Sequence, residues 1–382
     1  MRIAVVGPTY PFRGGIAHFN SLMCGHLGQR HDVVAFGFRR MYPRWLFPGR
    51  SDRDPSQEPL RTPSVRSLDP INPWSWMRTA KCILVLRPDT VIFHWWVTFW
   101  SLPFAVVARC LRQRKVPVLF LCHNVLPHEA RLWDRPLAAL ALRQGDGYIV
   151  MADSEAAQLR AIVPNATVYQ LPLPTYVELA RLSEAPPTDE ARRLLGLDPA
   201  DPVALFFGFV RPYKGLQFLL RAMPAVREHH NLQLVIAGEF WHDKQVYLDV
   251  INELGIADAV RVEDRYIANE EMGTYFAAAD VVVLPYVDVT QSAVVQLAFG
   301  FGKPVVTTRV GNLPDVVEHG RTGLIVPPGD ADALARALRI YFDEGLAGKM
   351  APYVAAAQDR FSWRDLEETI GTAVIGVRRS GI

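Results

Sequence analysis

A chain of 382 residues, half of them hydrophobic and 21% charged, has room for two globular domains with sizeable cores and is too apolar for a disordered chain. Cys24, Cys82, Cys110 and Cys122 form no CxxC pair, and Arg2 to Gly7 already reads as a strand rather than a secretory leader, so the thiols read as buried groups of a reducing compartment. No run of 18 apolar residues is free of charge, which excludes a spanning helix and leaves a cytoplasmic protein as the expectation.

The net charge of +2 divides unevenly. Residues 1–175 carry 21 Lys and Arg against 11 Asp and Glu, a balance of +10, and the rest carry 20 against 28, a balance of −8. A basic first half suits something anionic, a membrane surface or a phosphate-bearing acceptor, although charges scattered over a solvated surface read the same way. No nucleic-acid partner is expected.

Arg2 to Gly7 leads into Pro8-Thr9-Tyr10-Pro11-Phe12-Arg13-Gly14-Gly15, and a helix follows over Ile16 to Leu27. Paired glycines at a strand-to-helix turn let the backbone approach a ligand, and a helix N-terminus favours negative charge, so Gly14 and Gly15 are candidate site residues. His18, on that helix, reads as packed. His31 to Phe36 is the second strand. After it, Phe38 to Arg50 interleaves Arg39, Arg40, Arg44 and Arg50 with Tyr42, Trp45, Leu46 and Phe47, broken by Pro43 and Pro48. That composition suits anionic headgroups or a lipid-linked acceptor, and equally a loop packing its aromatics on the domain. Residues 51–73 read as a long surface loop.

Trp74 to Leu86 reads as a helix, Thr90 to Trp96 as a buried strand, and Phe99 to Leu111 as a core helix or as one buried on one side and partly lipid-facing. Pro117 to Cys122 is the next strand, ending in His123-Asn124-Val125-Leu126-Pro127-His128-Glu129. A His at the C-terminal tip of a parallel strand points into the ligand crevice of such sheets, where it can donate to a sugar hydroxyl or to developing phosphate charge. His128 and Glu129 are placed to touch an acceptor. Two His and a carboxylate at that spacing share no face for joint ligation, and no metal is expected. Leu137 to Arg143 is helical, Gly147 to Met151 a strand, Ser154-Glu155 the cap of a helix over Ala156 to Ala161, and Thr167 to Leu171 a last strand. Pro172, Pro174 and Pro186-Pro187 mark an inter-domain connection over about 172–200.

In the second half, Val203 to Phe207 is a strand, Gly208 to Gly215 (GFVRPYKG) its loop and Leu216 to Val226 its helix. Arg211 and Lys214 sit in this loop, and two fixed cations beside a helix N-terminus would stabilise a departing diphosphate without a metal. Leu232 to Ala237 ends in Gly238-Glu239, Asp243 to Leu254 is a helix, and Val260 to Ile267 precedes another over Glu270 to Ala278. Asp280 to Leu284 then runs into a loop containing Thr290, Gln291, Ser292 and Ala293, an apolar segment broken by Gly300 and Gly302, and a second run, Pro304 to Thr308. This is a βαβ pattern whose loop offers neutral side chains and the amides of Gln291 to Val294 to an anionic ligand. Asp330 to Phe342 is a helix with Asp330 as its cap, and the tail from Phe361 ends in a helical run.

FFGFVRPYKGLQFLLRAMP (206–224) and FGKPVVTTRVGNLPDVVEHGRTGLIVPPGD (301–330) resemble the donor-binding half of the retaining glycosyltransferases called group 1, or family 4. The likeness covers most of residues 200–360. It implies the GT-B architecture: an α/β chain of two Rossmann-like, doubly wound domains facing across a cleft. It further implies an acceptor-binding domain over 1–175, a nucleotide-sugar domain over 200–360, and a C-terminal helix within 361–382 that crosses back to the first domain. The same resemblance places the Gly14-Gly15 loop against the donor, gives His123 a contact with the donor sugar, and puts Gly238 and Glu239 in the donor site. Arg265, Tyr266 and Ile267 would read the nucleobase through their backbone.

Two departures accompany the likeness. Family members place an Arg one residue after the loop glycine and a Lys six after it; here the first is Phe209, Arg211 lies three after Gly208, and Lys214 is in register. Most members also carry two glutamates eight apart, one near the donor sugar and one on the ribose. Counting back from Gly302-Lys303-Pro304, those positions hold Val289 and Leu297. Gln296, next to Leu297, points elsewhere on a helix and does not replace it.

The function implied is sugar transfer from a UDP- or GDP-linked donor to a glycan or lipid-linked acceptor, with retention, without metal or cofactor, in cell-surface glycan or glycolipid synthesis at the inner face of a membrane. The missing carboxylates keep open a GT-B-like partner or regulatory protein without transferase activity. An epimerase or hydrolase would need an acid/base set for which only His123 and Glu129 offer themselves.

Overall fold

The computed structural model describes residues 1–43, 47, 49–127 and 130–379. The chain divides into two compact units: residues 1–54, 59–172 and from 363 onward form the first, residues 55–58 and 173–362 the second.

The first unit is built on seven strands: β1 (Arg2–Val6), β2 (Asp32–Phe38), β3 (Ser64–Leu68), β4 (Thr90–Trp95), β5 (Val118–Cys122), β6 (Gly147–Val150) and β7 (Val168–Gln170). They pair in parallel in the order β3-β2-β1-β4-β5-β6-β7. The chain therefore starts at the middle of the sheet, winds to one edge, and crosses over to build the other, which is the doubly wound plan. Ile3 to Val6, Val91 to Trp95 and Val118 to Cys122 are unbroken apolar or aromatic runs apart from His94, as strands covered on both faces require. The covering helices are α1 (Gly15–Leu27), α2 (Pro73–Leu86), α3 (Ser101–Arg112), α4 (Asp134–Leu142) and α5 (Asp153–Ile162). α2 packs beside α3, and α3 beside α4.

Two local expectations need correction. Residues 51–73 are not all loop, because Ser64–Leu68 pairs with β2 as an edge strand, Ala35 opposite Ser64 and Phe36 opposite Val65. Its backbone ladder does the work, and with Val65 and Arg66 facing solvent the sequence shows no apolar alternation. The helix α5 starts at Asp153 and has no side-chain cap; Ser154 and Glu155 lie inside its first turn. Glu155 is buried and accepts from the Met151 N–H at 3.2 Å, so its carboxyl serves the preceding strand rather than the helix end.

In the second unit two short helices, α6 (Val177–Leu182) and α7 (Thr188–Leu194), occupy the proline-rich stretch before the sheet begins. Six parallel strands follow: β8 (Val203–Phe207), β9 (Gln233–Ala237), β10 (Val260–Glu263), β11 (Val281–Leu284), β12 (Val305–Thr308) and β13 (Gly323–Val326), ordered β10-β9-β8-β11-β12-β13. Between and after them run α8 (Leu216–Arg227), α9 (Gln245–Glu253), α10 (Asn269–Ala278), α11 (Ala293–Gly300), α12 (Leu313–Val316), α13 (Ala331–Asp343) and α14 (Leu346–Arg360). Asp330 caps α13, accepting from the Ala333 N–H at 2.8 Å. Residues 55–58 belong to this unit: the Asn269 N–H donates to Ser56 Oγ and the Gln57 N–H to Glu270, each at 3.0 Å.

The last helix, α15 (Trp363–Arg379), is part of the first unit. Trp363 stacks on His26 of α1 at 5.2 Å and 8°, and a Cβ at Gly376 would come within 2.3 Å of Tyr169 Oη. Arg378 pairs with Asp89 at the start of β4. Among the described residues no helix is long and apolar enough to cross a membrane.

Candidate functional site

In the first unit the candidates collect at the C-terminal ends of β1, β4 and β5. Gly14 caps α1 with φ 106°, a conformation L side chains rarely adopt, and Gly15 is the first helical residue. His123 follows β5, is 5% exposed, and donates its backbone N–H to the Trp95 carbonyl at 2.7 Å. Its ring stacks on that of His94, the fifth residue of β4, with centroids 5.2 Å apart and 13° between planes. His94 Nδ1 lies 2.9 Å from His123 Nε2. Phe19 meets both rings edge-on, and a Cβ at Gly7 would fall 2.7 Å from His94 Cδ2, so the glycine just after β1 makes room for the pair. Burial holds His94 well below the usual imidazole range and lowers His123 to about 3. Both rings are therefore neutral near pH 7, and one N–H is shared between them.

His18 is buried, with Nε2 3.7 Å from the Asp54 carboxylate. The basic aromatic stretch after β2 lines a cavity of about 480 Å³ with Arg40, Tyr42, Phe47, Arg50 and Arg53 among its walls. Tyr42 Oη accepts from Trp96 Nε1 at 2.9 Å, while Arg40 pairs with Asp69. Arg44, Trp45, Leu46 and Pro48 of that stretch lie outside the described residues, as do His128 and Glu129 of the loop after His123.

In the second unit the loops after β8 and β9 are joined backbone to backbone. The Val210 N–H donates to the Glu239 carbonyl at 2.9 Å and the Trp241 N–H to the Val210 carbonyl at 3.1 Å. Gly238 permits this approach, since a Cβ there would lie 2.0 Å from the Gly208 oxygen. Glu239 is buried at 2% exposure. Gly208 has φ 95°, and a Cβ on it would come 3.3 Å from Lys214 Nζ and 3.6 Å from Val294 Cγ2. Three predicted site residues, Gly238, Lys214 and Val294, thus converge on one glycine. Lys214 ends a single turn of 3-10 helix, Pro212–Lys214, with Nζ 5.6 Å from the centre of the Tyr286 ring. Burial, with Arg211 nearby, lowers its ammonium pKa to about 8.

Arg211 lies over Tyr213 at 5.3 Å and over Trp241 at 5.6 Å. Phe209 stacks within 4.4 Å of Trp241 and 6.0 Å of Tyr266. The residue that replaces the family's arginine therefore seeds an aromatic cluster, and Arg211 is held against its edge. Arg265 turns its side chain to Glu271, at 2.6 and 3.0 Å, and to Tyr275 Oη. Ile267 is buried. In the loop before α11, the Asn312 N–H donates to the Thr290 carbonyl at 3.0 Å. Ser292 is the N-cap of α11, accepting from the Val295 N–H at 3.4 Å. Gln291 precedes it and Ala293 opens the helix. Val289 and Leu297 are 7% and 5% exposed, and Gln296 is turned inward to accept from Thr175 Oγ1 at 3.0 Å.

The arrangement gathers the Lys214 ammonium and the N-terminus of an eight-residue helix around Gly208, with the Arg211 guanidinium held against Tyr213 and Trp241 in the same loop, which is the chemistry of an anion site. His94, Trp241, Tyr213 and Tyr286 were not singled out from the sequence. A histidine inside an otherwise apolar strand was the signal for the first; the aromatics carry no spacing that marks them.

Comparison with known proteins fits this geometry. The family model described as glycosyltransferase family 4 matches residues 13–174, and that described as glycosyl transferases group 1 matches residues 201–343. An uncharacterised glycosyltransferase of Methanocaldococcus jannaschii is 31% identical over 194 residues, 50% of this chain and 49% of that protein. The D-inositol 3-phosphate glycosyltransferase of Pseudarthrobacter chlorophenolicus is 30% identical over 271 residues, so the match spans 68% of this chain and 63% of the relative. Among solved structures, HepE of Anabaena in complex with UDP-glucose aligns with a TM-score of 0.75 at 18% identity, over 98% of this chain and 100% of that one. Sucrose-phosphate synthase from Thermosynechococcus elongatus aligns over the whole of both chains with a TM-score of 0.73 at 19% identity. With two parallel Rossmann-like sheets in sequence and both halves matched in order, the chain belongs to the group 1, family 4 glycosyltransferases of GT-B fold.

Proposed function

We propose that the protein transfers a sugar from a nucleotide-diphosphate donor to a glycan or lipid-linked acceptor, with retention of configuration and without a metal. The observation that carries this reading is the placement of Lys214 Nζ beside the bare Cα of Gly208, next to Val294 in the first turn of α11, with Arg211 in the same loop. A diphosphate seated there would meet two cations and the free amides of a helix end, and its charge would be stabilised as the sugar leaves. UDP is the first donor to try, because the structural neighbour from Anabaena is seen with UDP-glucose. The basic first half, with the arginine-lined cavity after β2, supports an anionic acceptor and a place at the cytoplasmic face of a membrane, as in cell-surface glycan synthesis.

The test is thermal stabilisation against UDP-, GDP-, dTDP- and ADP-sugars with and without EDTA, paired with turnover of Lys214→Ala. A shift for one nucleotide that EDTA leaves unchanged, and loss of most turnover in the variant, are expected. Near full activity of Lys214→Ala overturns the assignment. Product NMR at the anomeric carbon decides retention.

The buried apolar side chains of Val289 and Leu297 favour a second reading, a partner protein of the same fold without transferase activity. The absence of any nucleotide shift in the folded protein would select it.

A further inference from the structure

The first unit carries an apolar and basic surface that none of the site chemistry uses. On α2, the exposed residues Trp74, Met77, Arg78, Lys81 and Val85 fall at helical spacing on one stripe, with Trp74 84% and Val85 81% exposed. The stripe continues onto α3, which packs beside α2: Cys110 Sγ lies 3.9 Å from Met77 Sδ, and Leu102 and Arg109 are exposed on the same helix. Next comes α4 with the turn before it, where Leu132 is 97% exposed and Trp133, Leu137 and Leu140 also face solvent, Arg131 lying over the Trp133 ring.

Charge on this layer is predominantly positive. Residues 71–145 include ten Lys and Arg against three acids, Asp89, Glu129 and Asp134. Asp134 is buried and holds Thr98 and the Arg131 backbone, and Asp89 is paired with Arg378. Among the described residues no ion pair engages Arg78, Lys81 or Arg109.

We propose that the outer face of α2, α3 and α4 is a docking surface for an anionic lipid bilayer. Two exposed tryptophans and several aliphatic side chains among unpaired cations match the interfacial zone, where apolar groups enter the acyl boundary and Lys and Arg meet headgroups. A bilayer is favoured over an acidic protein because the cations are spread across three helices around protruding apolar tips. The surface deepens the membrane-face reading given above, since it names where the first unit would rest while taking a lipid-linked acceptor.

The test is vesicle sedimentation of the full chain, with phosphatidylcholine vesicles against vesicles containing phosphatidylglycerol. Binding to the anionic vesicles alone, weakened by salt, is expected. Trp74→Ser with Leu132→Ser and Trp133→Ser, and separately Arg78→Glu with Lys81→Glu, are each expected to lower vesicle affinity about tenfold or more. All five positions are exposed, and unchanged thermal midpoints will show the variants folded. Equal affinity for neutral and anionic vesicles, no vesicle binding, or variants that bind like the parent would each overturn the proposal. Lys214→Ala separates it from the transferase reading: that variant should lose turnover and sediment normally. Vesicle binding through this face without any nucleotide-sugar shift would leave the surface standing and remove the enzyme reading.

Discussion

His94 Nδ1 sits 2.9 Å from His123 Nε2 inside a wall made by Phe19 and the bare Cα of Gly7. Because burial keeps both rings neutral, the shared N–H couples the tautomer of His123 to that of His94, which makes His94 its positioning residue. His94→Phe keeps an aromatic ring and removes the nitrogen. Turnover is expected to fall about tenfold or more, as when a histidine loses the group that sets its tautomer, while nucleotide-sugar stabilisation is retained. Imidazole ¹⁵N spectra should show the change of tautomer; an unchanged spectrum and rate would refute the role.

The same pair makes an acid-stability prediction. Both folded pKa values lie below the ordinary imidazole value of 6.5, so the unfolded chain binds more protons in acid, and stability is lost as pH falls from 6.5 towards 3. The urea midpoint should drop between pH 7 and pH 4, and drop less in His94→Phe. Equal slopes in parent and variant would show that the imidazoles do not drive the loss.

Glu155 works in the opposite direction. Burial raises its carboxyl from 4.5 to about 8, so the folded chain holds this proton more tightly than the unfolded one. Its contribution is present at low pH and lost as pH rises through that window. Glu155→Gln keeps an acceptor for the Met151 N–H and cannot ionise. The variant should match the parent in thermal midpoint at pH 5 and exceed it at pH 8.5.

Lys214 predicts how donor binding depends on pH. Its ammonium titrates at about 8 in the free protein, so a diphosphate that needs the charge should bind more weakly above that pH, by up to about tenfold per unit. Titration calorimetry with a UDP-sugar at pH 7, 8 and 9 measures this. Lys214→Arg should bind with nearly flat affinity over the same range, and a parallel decline in both proteins would assign the effect to another group.

Gly238→Ala would place a methyl 2.0 Å from the Gly208 oxygen, so the two loops must part. A loss of about 2 kcal/mol or more in stability is expected, together with loss of donor-induced stabilisation. Gly348, inside α14 with open space around it, is the control: its alanine variant should be neutral or gain about 0.5–1 kcal/mol.

Much of this was legible in the sequence because buried parallel strands advertise themselves. Ile3 to Val6, Val118 to Cys122 and Val203 to Phe207 read as strands without any partner in view, and the glycines at their tips marked where backbones approach. Ser64–Leu68 was missed because an edge strand needs only backbone bonds on one side, and its serines and arginine look like loop. The positions of Arg211 and Lys214 followed from their loop. What Phe209 does there did not, because it depends on Trp241 and Tyr266, residues 32 and 57 positions further on that meet it only when β8, β9 and β10 are neighbours. His94 was hidden for the same reason, since its meaning lies in a ring one strand over.

The stack of Trp363 on His26 has a consequence for synthesis. A chain made from its N-terminus presents residues 1–172 long before the helix that covers α1 and reaches β6, so the first unit waits with that flank open. Apart from residues 55–58 the second unit is one continuous segment, and it can close around its own core during that interval. The unit translated first is therefore the one completed last.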